Sequence, residues 1–397
     1  MKDSKQNKNG DSALQYRYEN FGGIISSEEP PFLAFVDREY MRDCKLPESE
    51  LWQEDEGIGL LSAPTEVHFS ATNKCSAGCP HCYMDSAKSD PGELDTIGFK
   101  RALKELAERG VFHIALGGGE AMERADFLEL AEYAREVGIV PNLTTNGEHI
   151  TPENAPLLKI FGQINLSLDG LGKLSSLFRG KNFFNTVDKA VNLLNQAGVP
   201  VGFNTVVGKD NYTGLGDLFR YAAVNGINEI EILRLKPSGR GIRLFDKMKT
   251  TYAQNIDLIP MLQKLTEETG VTAKIDCSFV PMMCYHRPDR KLLESMSTYG
   301  CEAGNILLGA RSNGKISGCS FLPDTDISIF DLEDEWQDHP ELQSYRNWAD
   351  TAAEPCKSCE YLTLCKGGCH AVSGHVFNDM SQPDPECPIV YEYNNNI

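Results

Sequence analysis

Hydrophobic and polar positions follow two kinds of pattern between about residues 64 and 270. Apolar residues recur at every second position in short runs, which predict strands, and at every third or fourth position in longer runs, which predict amphipathic helices. The predicted strands are residues 65–70, 111–116, 139–145, 162–168, 200–207 and 228–235. The predicted helices are residues 96–109, 124–137, 151–160, 184–197, 213–225 and 252–269. Six strand–helix repeats with right-handed crossovers predict an α/β fold, a partial (β/α)6 TIM-like barrel.

The segments on either side of these repeats are patterned differently. Residues 1–13 are rich in Lys, Asn, Asp and Ser and predict a disordered tail. Two apolar runs around a Ser-Glu-Pro turn predict a β-hairpin over residues 16–36. After residue 270 cysteine, glycine and turn residues replace the regular pattern. We therefore expect four parts: a tail and hairpin (1–63), the barrel (64–245), a helix and bridging region (246–300) and a small cysteine-rich domain (301–397).

Strand alternation also predicts which side chains face the inside of the barrel. In Ile164–Asp169 the apolar residues share one face, and polar residues share the other. If helices cover the apolar faces, the lumen receives Glu66, His68, Ser70, Asn142, Thr144, Asn146, Asn165, Ser167, Asp169, Asn204 and Arg234. A closed barrel normally fills its interior with Val, Ile and Leu, so a polar lumen predicts a ligand cavity. An antiparallel sheet with one face in water alternates in the same way, but the intervening helices favour the barrel.

Composition excludes several classes of partner. The 397 residues carry 38 Lys+Arg against 57 Asp+Glu, a formal charge of −19, which argues against nucleic acid or anionic lipid. No stretch approaches the roughly 18 apolar residues of a membrane span, and the N-terminus lacks a signal-peptide core. We therefore expect a cytoplasmic protein. Its 13 cysteines are then unusual, because a reducing compartment does not favour disulfides.

Three of these cysteines form a compact motif directly after the first strand. Cys75, Cys79 and Cys82 have the spacing C-x3-C-x2-C. Three thiolates so close together can hold three corners of a cubane cluster and leave one iron free. A structural zinc site usually takes four protein ligands, and no fourth cysteine lies nearby. A position above a polar lumen favours the cluster over zinc.

The motif resembles the signature of the radical S-adenosylmethionine (SAM) superfamily, and the resemblance extends over residues 64–245. It implies a [4Fe-4S] cluster whose free iron binds SAM, and whose reduction yields a 5′-deoxyadenosyl radical that abstracts a substrate hydrogen. His81 stands where the family often has an aromatic residue, and Ala121 replaces the proline of a Gly-Gly-Glu-Pro motif. The resemblance implies that Ser167 meets the ribose and Arg179 the SAM carboxylate. The full set of expected SAM contacts is Gly118, Gly119, Glu120, Ser167, Asp169, Arg179 and, more weakly, Asn204 and Arg234.

A second group of cysteines follows residue 300. By spacing alone, a zinc ribbon could use one quartet of them. Their order resembles the SPASM extension of radical SAM enzymes, which implies two auxiliary clusters and three [4Fe-4S] clusters in all. An outer cluster would use Cys356, Cys359, Cys365 and Cys387, and an inner one Cys301, Cys319 and Cys369. For the missing inner ligand we expect Cys284, then Cys277; an open iron site or another ligand is the alternative. Cys44 is expected to be an uninvolved buried residue.

Radical SAM enzymes with this extension suggest three kinds of substrate. We expect a ribosomally made precursor peptide, modified by crosslinking, epimerisation or oxidation. A small molecule such as a sugar or aminocyclitol is the main alternative, and a formylglycine-type maturase is another. Ser320 argues against the last, because those enzymes carry an aspartate base after the cysteine matching Cys319. A non-enzymatic iron–sulfur or zinc protein is the alternative outside enzymes, and SAM cleavage would separate it.

Other features bear on partners. Phe21–Ile25 resembles the strands of leader-peptide recognition domains, although the hairpin could simply cover the barrel. Arg234, Lys236 and Arg240 are expected near the barrel mouth, where they would meet a SAM carboxylate or a peptide acid. A reductase, flavodoxin or ferredoxin is expected as electron donor. No catalytic residue is predicted, although Glu66 and His68 lie on the lumen face.

Overall fold

The computed structural model describes residues 14–28, 31–52 and 58–397. The predicted disordered tail, residues 1–13, lies outside the described residues. Three strands form an N-terminal antiparallel sheet: β1 (Gln15–Glu19), β2 (Gly22–Glu28) and β3 (Pro31–Asp37). Nine form the main sheet: β4 (Glu66–Thr72), β5 (His113–Gly118), β6 (Val140–Thr145), β7 (Ile164–Ser167), β8 (Val201–Val207), β9 (Glu229–Arg234), β10 (Thr272–Ile275), β11 (Leu307–Ala310) and β12 (Ile316–Ser317).

The main sheet confirms the predicted barrel and extends it at both edges. Its order is β10-β9-β8-β7-β6-β5-β4-β11-β12, and every neighbouring pair is parallel except β11 with β12. The six predicted strands are β4 to β9. Strands β10 and β11 were not predicted, because each has only four residues and a pattern too short to read. Since β11 pairs with β4, the C-terminal region contributes directly to the barrel sheet.

Helices follow the strands as the crossovers of a β/α repeat require. The α-helices are α1 (Arg38–Asp43), α2 (Thr96–Glu108), α3 (Phe127–Glu136), α4 (Ser175–Arg179), α5 (Phe184–Ala197), α6 (Leu215–Val224), α7 (Ile242–Met248), α8 (Tyr252–Thr269), α9 (Val280–Tyr285), α10 (Arg290–Ser295), α11 (Leu332–Glu335), α12 (Pro340–Arg346), α13 (Leu362–Cys365), α14 (His370–Phe377) and α15 (Pro388–Asn395). The prediction of an α-helix over 151–160 is wrong. A 3-10 helix spans Ala155–Ile160 there, with Pro156 in its first turn. No helix of the described residues is both long and apolar enough to cross a membrane.

The hydrophobic core lies between the main sheet and these helices. Val67 and Phe69 point to the helix side and are fully buried, and Phe69 stacks on Phe99 of α2 with ring centroids 4.2 Å apart. Leu143 of β6 and Leu166 of β7 likewise point to the helix side and are buried. The predicted alternation is therefore confirmed, and the opposite face of each strand turns its polar residues to the lumen.

The N-terminal sheet lies against the amino ends of the barrel strands. Arg17 donates to the carbonyls of Ala63, Pro64 and Gly110, which precede β4 and β5, at 2.8–3.0 Å. Ile24 of β2 packs with Phe112 and other residues at this end. The segment is thus a three-stranded sheet, not a two-stranded hairpin. The sheet covers the end of the barrel opposite its mouth, because the mouth is formed by the carboxyl ends of the strands.

Candidate active site

The three cysteines of the first motif lie on the loop that follows β4. Cys75, Cys79 and Cys82 pack with Ala77 and Phe183 in one small cluster. The Cys82 N–H donates to the Cys79 carbonyl at 3.2 Å, which turns the chain tightly between these two thiols. Burial raises the pKa of Cys75 to about 11, and the charges of Cys79 and Cys82 add to the effect. Close, buried thiols of this kind release their protons when a metal binds them.

Arg240, on the loop after β9, holds this cysteine loop in place. Its Nε donates to the Cys79 carbonyl at 2.9 Å, and its Nη1 donates to the Ser86 carbonyl at 2.9 Å and to Asp85 at 2.8 Å. Its backbone N–H donates to the Cys82 carbonyl at 2.9 Å. The structure therefore gives Arg240 a role in supporting the loop instead of the expected contact with a ligand carboxylate.

The Gly-Gly-Glu motif packs beside the cysteine loop at the end of β5. Gly118 has a φ of +100°, and a Cβ at Gly119 would lie 2.1 Å from the carbonyl oxygen of Lys74. The two glycines thus permit the chain to approach the residues just before Cys75. Glu120 is buried and accepts a hydrogen bond from the Thr145 hydroxyl at 2.7 Å, which joins the ends of β5 and β6.

Arg179 and Asp169 form a buried ion pair next to the cysteine loop. Arg179 Nε lies 2.8 Å from Asp169 Oδ2, and Arg179 Nη2 donates to Asp169 Oδ1 at 3.3 Å. Burial lowers the pKa of Arg179, but the charges of Asp169 and Cys79 and hydrogen bonds to both raise it overall. The contact between Arg179 Nε and Asp169 Oδ2 is an ion pair that lacks the alignment of a hydrogen bond. Neither of these two atoms has a hydrogen-bond partner among the described residues. A cation with spare hydrogen-bonding capacity therefore lies beside Cys79.

Ser167 and Asn204 lie side by side on β7 and β8, on the lumen face. They are partners in the strand register, and Asn204 Nδ2 donates to the Thr144 hydroxyl at 3.3 Å. The Asn204 Oδ1 atom is buried without a hydrogen-bond partner in the described part of the chain. An unpartnered buried acceptor is costly, and a bound donor would relieve it.

Arg234 does not lie free in the lumen as expected. Its side chain donates to Asp384 at 2.6 and 2.9 Å, to Glu386 at 2.6 and 3.0 Å, and to the Ser278 carbonyl at 3.1 Å. These bonds use all five of its N–H donors. The prediction that Arg234 contacts SAM is therefore wrong, because acidic residues from the C-terminal region occupy the guanidinium.

The remaining cysteines separate into two groups. The inner group contains Cys301, Cys319 and Cys369, with Cys277 beside them. Desolvation raises the pKa of the Cys277 thiol well above its usual value, and the charges of Cys301 and Cys369 add to this, although the residue keeps an exposed surface. Burial lowers the pKa of His370, but the nearby Cys301 raises it overall, and His370 Nε2 lies 2.9 Å from the Lys366 carbonyl oxygen.

The outer group contains five cysteines around one small apolar cavity: Cys284, Cys356, Cys359, Cys365 and Cys387. The expectation that Cys284 completes the inner group is therefore wrong, and Cys277, the second choice, lies there instead. Cys277 begins a 3-10 turn, whereas Cys284 lies seven residues later on α9, so the two thiols face different groups. No three His, Cys, Asp or Glu side chains of the described residues converge on a point that would hold a single metal ion.

An open cleft of about 730 Å³ lies between the first cysteine loop and the C-terminal region. Tyr83 and Met84 of the cysteine loop form one wall, and Arg311 and Phe321 form part of the other. The asparagines Asn73, Asn313 and Asn378 line its rim. Because Tyr83 directly follows Cys82, the cleft leads to the first cysteine motif.

Two aromatic residues of this cleft that sequence reasoning missed, Tyr83 and Phe321, lie next to Lys236, a cation expected near the barrel mouth. The Tyr83 and Phe321 rings lie 4.8 Å apart, and Lys236 Nζ lies 4.2 Å from the centre of the Phe321 ring. Lys236 is buried and ion-paired with Asp276. No periodic signal marks these contacts, because each joins residues distant in the sequence.

The lower lumen contains a set of interacting acid and base groups. His68 Nε2 lies 3.4 Å from Glu66, and His68 Nδ1 lies 3.2 Å from the Ser320 hydroxyl. Burial raises the pKa of Glu231 to about 7, and the charges of Asp276 and Glu66 add to this. Glu66 and His68 remain partly reached by solvent although they lie inside the barrel.

Comparison with known proteins decides the family. Residues 69–222 match the model of the radical SAM superfamily. The mycofactocin maturase MftC of Mycolicibacterium smegmatis is 31% identical over 339 residues, which cover 82% of this chain and 83% of that protein. The chain belongs to the radical SAM superfamily.

Two other known proteins are similar to this radical SAM enzyme over most of its length. An AdoMet-dependent heme synthase of Methanosarcina barkeri is 27% identical over 83% of this chain and 98% of that protein. Streptococcus suis SuiB, whose crystal structure was solved bound to the precursor peptide SuiA, superposes with a TM-score of 0.73 over 94% of this chain and 98% of SuiB. Its sequence identity is 18%, so this similarity shows the fold.

As a radical SAM enzyme, the protein uses a [4Fe-4S] cluster and SAM. The residues on the first cysteine loop fit both groups. Three thiols suit a cluster with one open iron. The unpartnered atoms of Arg179, Asp169 and Asn204 supply a cation and acceptors for a zwitterionic ligand beside it.

Proposed function

We propose that this radical SAM enzyme modifies a ribosomally made precursor peptide. The cleft between the cysteine loop and the C-terminal region is the observation that carries this proposal. It is open, and its rim asparagines can both donate to and accept from a peptide backbone. Tyr83 and Phe321, whose rings pack against each other, add an aromatic lining that can contact side chains. Support also comes from the names of similar proteins, one a maturase and one solved with a precursor peptide.

Cofactor roles follow from the site. Cys75, Cys79 and Cys82 would hold the SAM cluster, which would supply the electron for SAM cleavage and so the radical chemistry at the substrate. Arg179, oriented by Asp169, would bind the SAM carboxylate. Gly118, Gly119 and Glu120 would shape the methionine end, and Ser167 and Asn204 would face the ribose.

The cysteine-rich region from about residue 301 would be a SPASM domain with two auxiliary [4Fe-4S] clusters, following the barrel (64–245) and the bridging region (246–300). Cys277, Cys301, Cys319 and Cys369 would hold the inner one. The outer one would use Cys356, Cys359, Cys365 and Cys387. Three clusters correspond to about twelve irons per chain. A ferredoxin, flavodoxin or reductase would supply the electrons.

The N-terminal sheet would bind the leader of the precursor. β3 is an edge strand of the described sheet, and its Phe32 is partly exposed. Such an edge can pair with an extended peptide through main-chain hydrogen bonds. Both faces of the sheet are covered, one by the barrel end and one by residues 41–52, so the edge is the available surface.

The test is turnover of short peptides encoded beside this gene. The reconstituted enzyme, SAM and a reductant are incubated without oxygen, and the peptide mass and 5′-deoxyadenosine are measured. We expect a mass change that depends on SAM and falls when residues 1–40 are removed. Phe321→Ala should lose peptide turnover while keeping SAM cleavage, and Tyr393→Ala, an exposed aromatic on α15, should keep both.

The heme synthase among the similar proteins defines the contrary result. Full turnover of a small molecule, with no effect of any encoded peptide, would overturn the peptide proposal. The cysteine and SAM roles would then stand, because SAM cleavage measures them separately.

A further inference from the structure

Two serines lie on the first cysteine loop, and their hydroxyls differ in hydrogen bonding. Ser76, directly after Cys75, is exposed, and its hydroxyl donates to Glu123 at 2.7 Å. Ser86, four residues after Cys82, is 1% exposed, and its hydroxyl has no hydrogen-bond partner among the described residues. A buried hydroxyl without a partner costs free energy, so its presence beside the cysteine motif calls for a physical reason.

The backbone of Ser86 faces the sulfur of Cys82. The Ser86 N–H donates to Cys82 Sγ with a donor–acceptor distance of 3.5 Å. Asp85, just before it, has a φ of +55°, a left-handed conformation that aspartate tolerates better than most residues. This conformation turns the chain back towards the thiol. The Ser86 hydroxyl oxygen is separated from the backbone by a single rotatable bond, so it stays near the same sulfur.

Hydrogen bonds on both sides fix Ser86 in this position. Its carbonyl accepts from Arg240 Nη1 at 2.9 Å. In the next residue, the Ala87 N–H donates to the Asn73 carbonyl at 3.1 Å, and the Ala87 carbonyl accepts from the Cys75 N–H at 3.1 Å. Turning the residue towards solvent would break these bonds, so the hydroxyl is kept on the buried side of the loop.

We propose that Ser86 donates hydrogen bonds from its N–H and its hydroxyl to sulfur atoms of the SAM cluster, and so raises the reduction potential of that cluster. The sulfurs of an iron–sulfur cluster become more negative on reduction, so hydrogen bonds to them favour the reduced form. The N–H already faces the Cys82 sulfur, and the cluster would supply the partner that the hydroxyl lacks. This inference rests on the proposed function, in which Cys75, Cys79 and Cys82 hold the cluster.

The ordinary alternative is that Ser86 is a small residue suited to a tight turn, with a hydroxyl that has no role. Alanine would then replace it without any effect on the cluster. The two interpretations differ in the reduction potential of the cluster, which is measured without peptide and without turnover.

The test compares the full chain, reconstituted without oxygen, as wild type, Ser86→Ala, Ser86→Thr, Ser76→Ala and Cys79→Ala. A redox titration followed by EPR gives the midpoint potential of the cluster whose signal changes when SAM is added, and iron per chain is measured beside it. Ser86→Thr keeps the hydroxyl. Ser76→Ala is the matched control, because it removes a hydroxyl of the same loop that is bonded to Glu123 instead.

We expect Ser86→Ala to keep the SAM-sensitive signal with a more negative midpoint potential. The equilibrium constant for one-electron reduction should fall about tenfold, which corresponds to about 59 mV. Ser86→Thr and Ser76→Ala should stay close to wild type. The midpoint potential does not depend on the fraction of chains loaded with iron, so incomplete loading of a variant leaves this comparison valid.

Equal midpoint potentials of Ser86→Ala and wild type would overturn the inference. An equal negative shift in Ser76→Ala would also overturn it, since the shift would then come from the loop as a whole. Cys79→Ala should lose the SAM-sensitive signal and about four irons. If it keeps both, the cluster lies elsewhere, and the inference falls with that part of the proposed function. Failure of the peptide assignment leaves all these measurements unchanged.

Discussion

Arg234 and Asp384 form a bidentate ion pair that joins the barrel to the C-terminal region across 150 residues of sequence. Arg234 Nη1 lies 2.6 Å from Asp384 Oδ2, and Nη2 lies 2.9 Å from Oδ1. Asp384 Oδ2 also accepts from the Cys369 N–H at 2.9 Å. The carboxylate thus connects the last residue of β9 to a cysteine of the inner group. Both charged side chains are almost completely buried.

Removing this cation should loosen the C-terminal region. Arg234→Gln would leave Asp384 and Glu386 buried without their partner, which costs about 3–5 kcal/mol. We expect faster proteolysis after residue 301 and lower auxiliary iron, with SAM cleavage less affected. Arg243→Gln, at an exposed position on α7, is the matched control. Equal proteolysis of the two variants would contradict this role for the ion pair.

Removing the cation of the Arg179–Asp169 pair should weaken the binding of SAM. Arg179→Gln removes a charge-assisted contact to the SAM carboxylate worth about 1.5–3 kcal/mol, so SAM should bind about 10- to 150-fold more weakly. Isothermal titration of the cluster-loaded enzyme measures this, and Arg220→Gln, an exposed residue paired with Asp217, is the control. Unchanged SAM affinity would remove Arg179 from the proposed contacts.

Glu231 predicts how stability depends on pH. Because burial and the charges of Asp276 and Glu66 raise its pKa to about 7, the folded chain holds a proton that the unfolded chain has lost above about pH 4.5. The contribution of Glu231 to the free energy of unfolding should therefore fall as the pH rises from about 4.5 to 7, and then level off. Glu231→Gln should be more stable than wild type at pH 8 and similar at pH 4.5.

Thermal melts at several pH values measure this difference. Glu267→Gln, at an exposed position on α8, should show no such crossover. A constant difference between Glu231→Gln and wild type at all pH values would contradict the assignment, since it would show that the carboxyl does not titrate in this range.

Cys277 predicts the composition of the inner cluster. Cys277→Ala should lower the iron content or change the inner-cluster EPR signal, because its thiol faces Cys301 and Cys369. Cys44→Ala, on the N-terminal segment, should match wild type. An unchanged spectrum in Cys277→Ala would indicate an inner cluster with three cysteine ligands.

The sequence predicted those structural features that follow from local periodicity of hydrophobic and polar residues. The six strands and the polar lumen follow from period-2 alternation, which every one of those strands carries over at least four residues. The alternation of β9 places Arg234 on the same face as the buried Ile230 and Ile232, so its assignment to the lumen was wrong. No local pattern could show that Asp384 would reach Arg234, because 150 positions separate the two residues. Distance along the chain ranked Cys284 above Cys277, but it does not show which cysteines the fold brings together.

The position of the N-terminal sheet has a consequence for any substrate that uses both it and the cleft. The sheet touches the amino ends of the strands, and the cleft opens at their carboxyl ends, so one barrel height separates them. β4 has seven residues, which at about 3.3 Å each span about 23 Å. A precursor therefore needs a spacer of at least about seven extended residues between its anchored leader and the residue to be modified. The length of this spacer would then determine which residue of the precursor reaches the cleft, before any side chain is recognised.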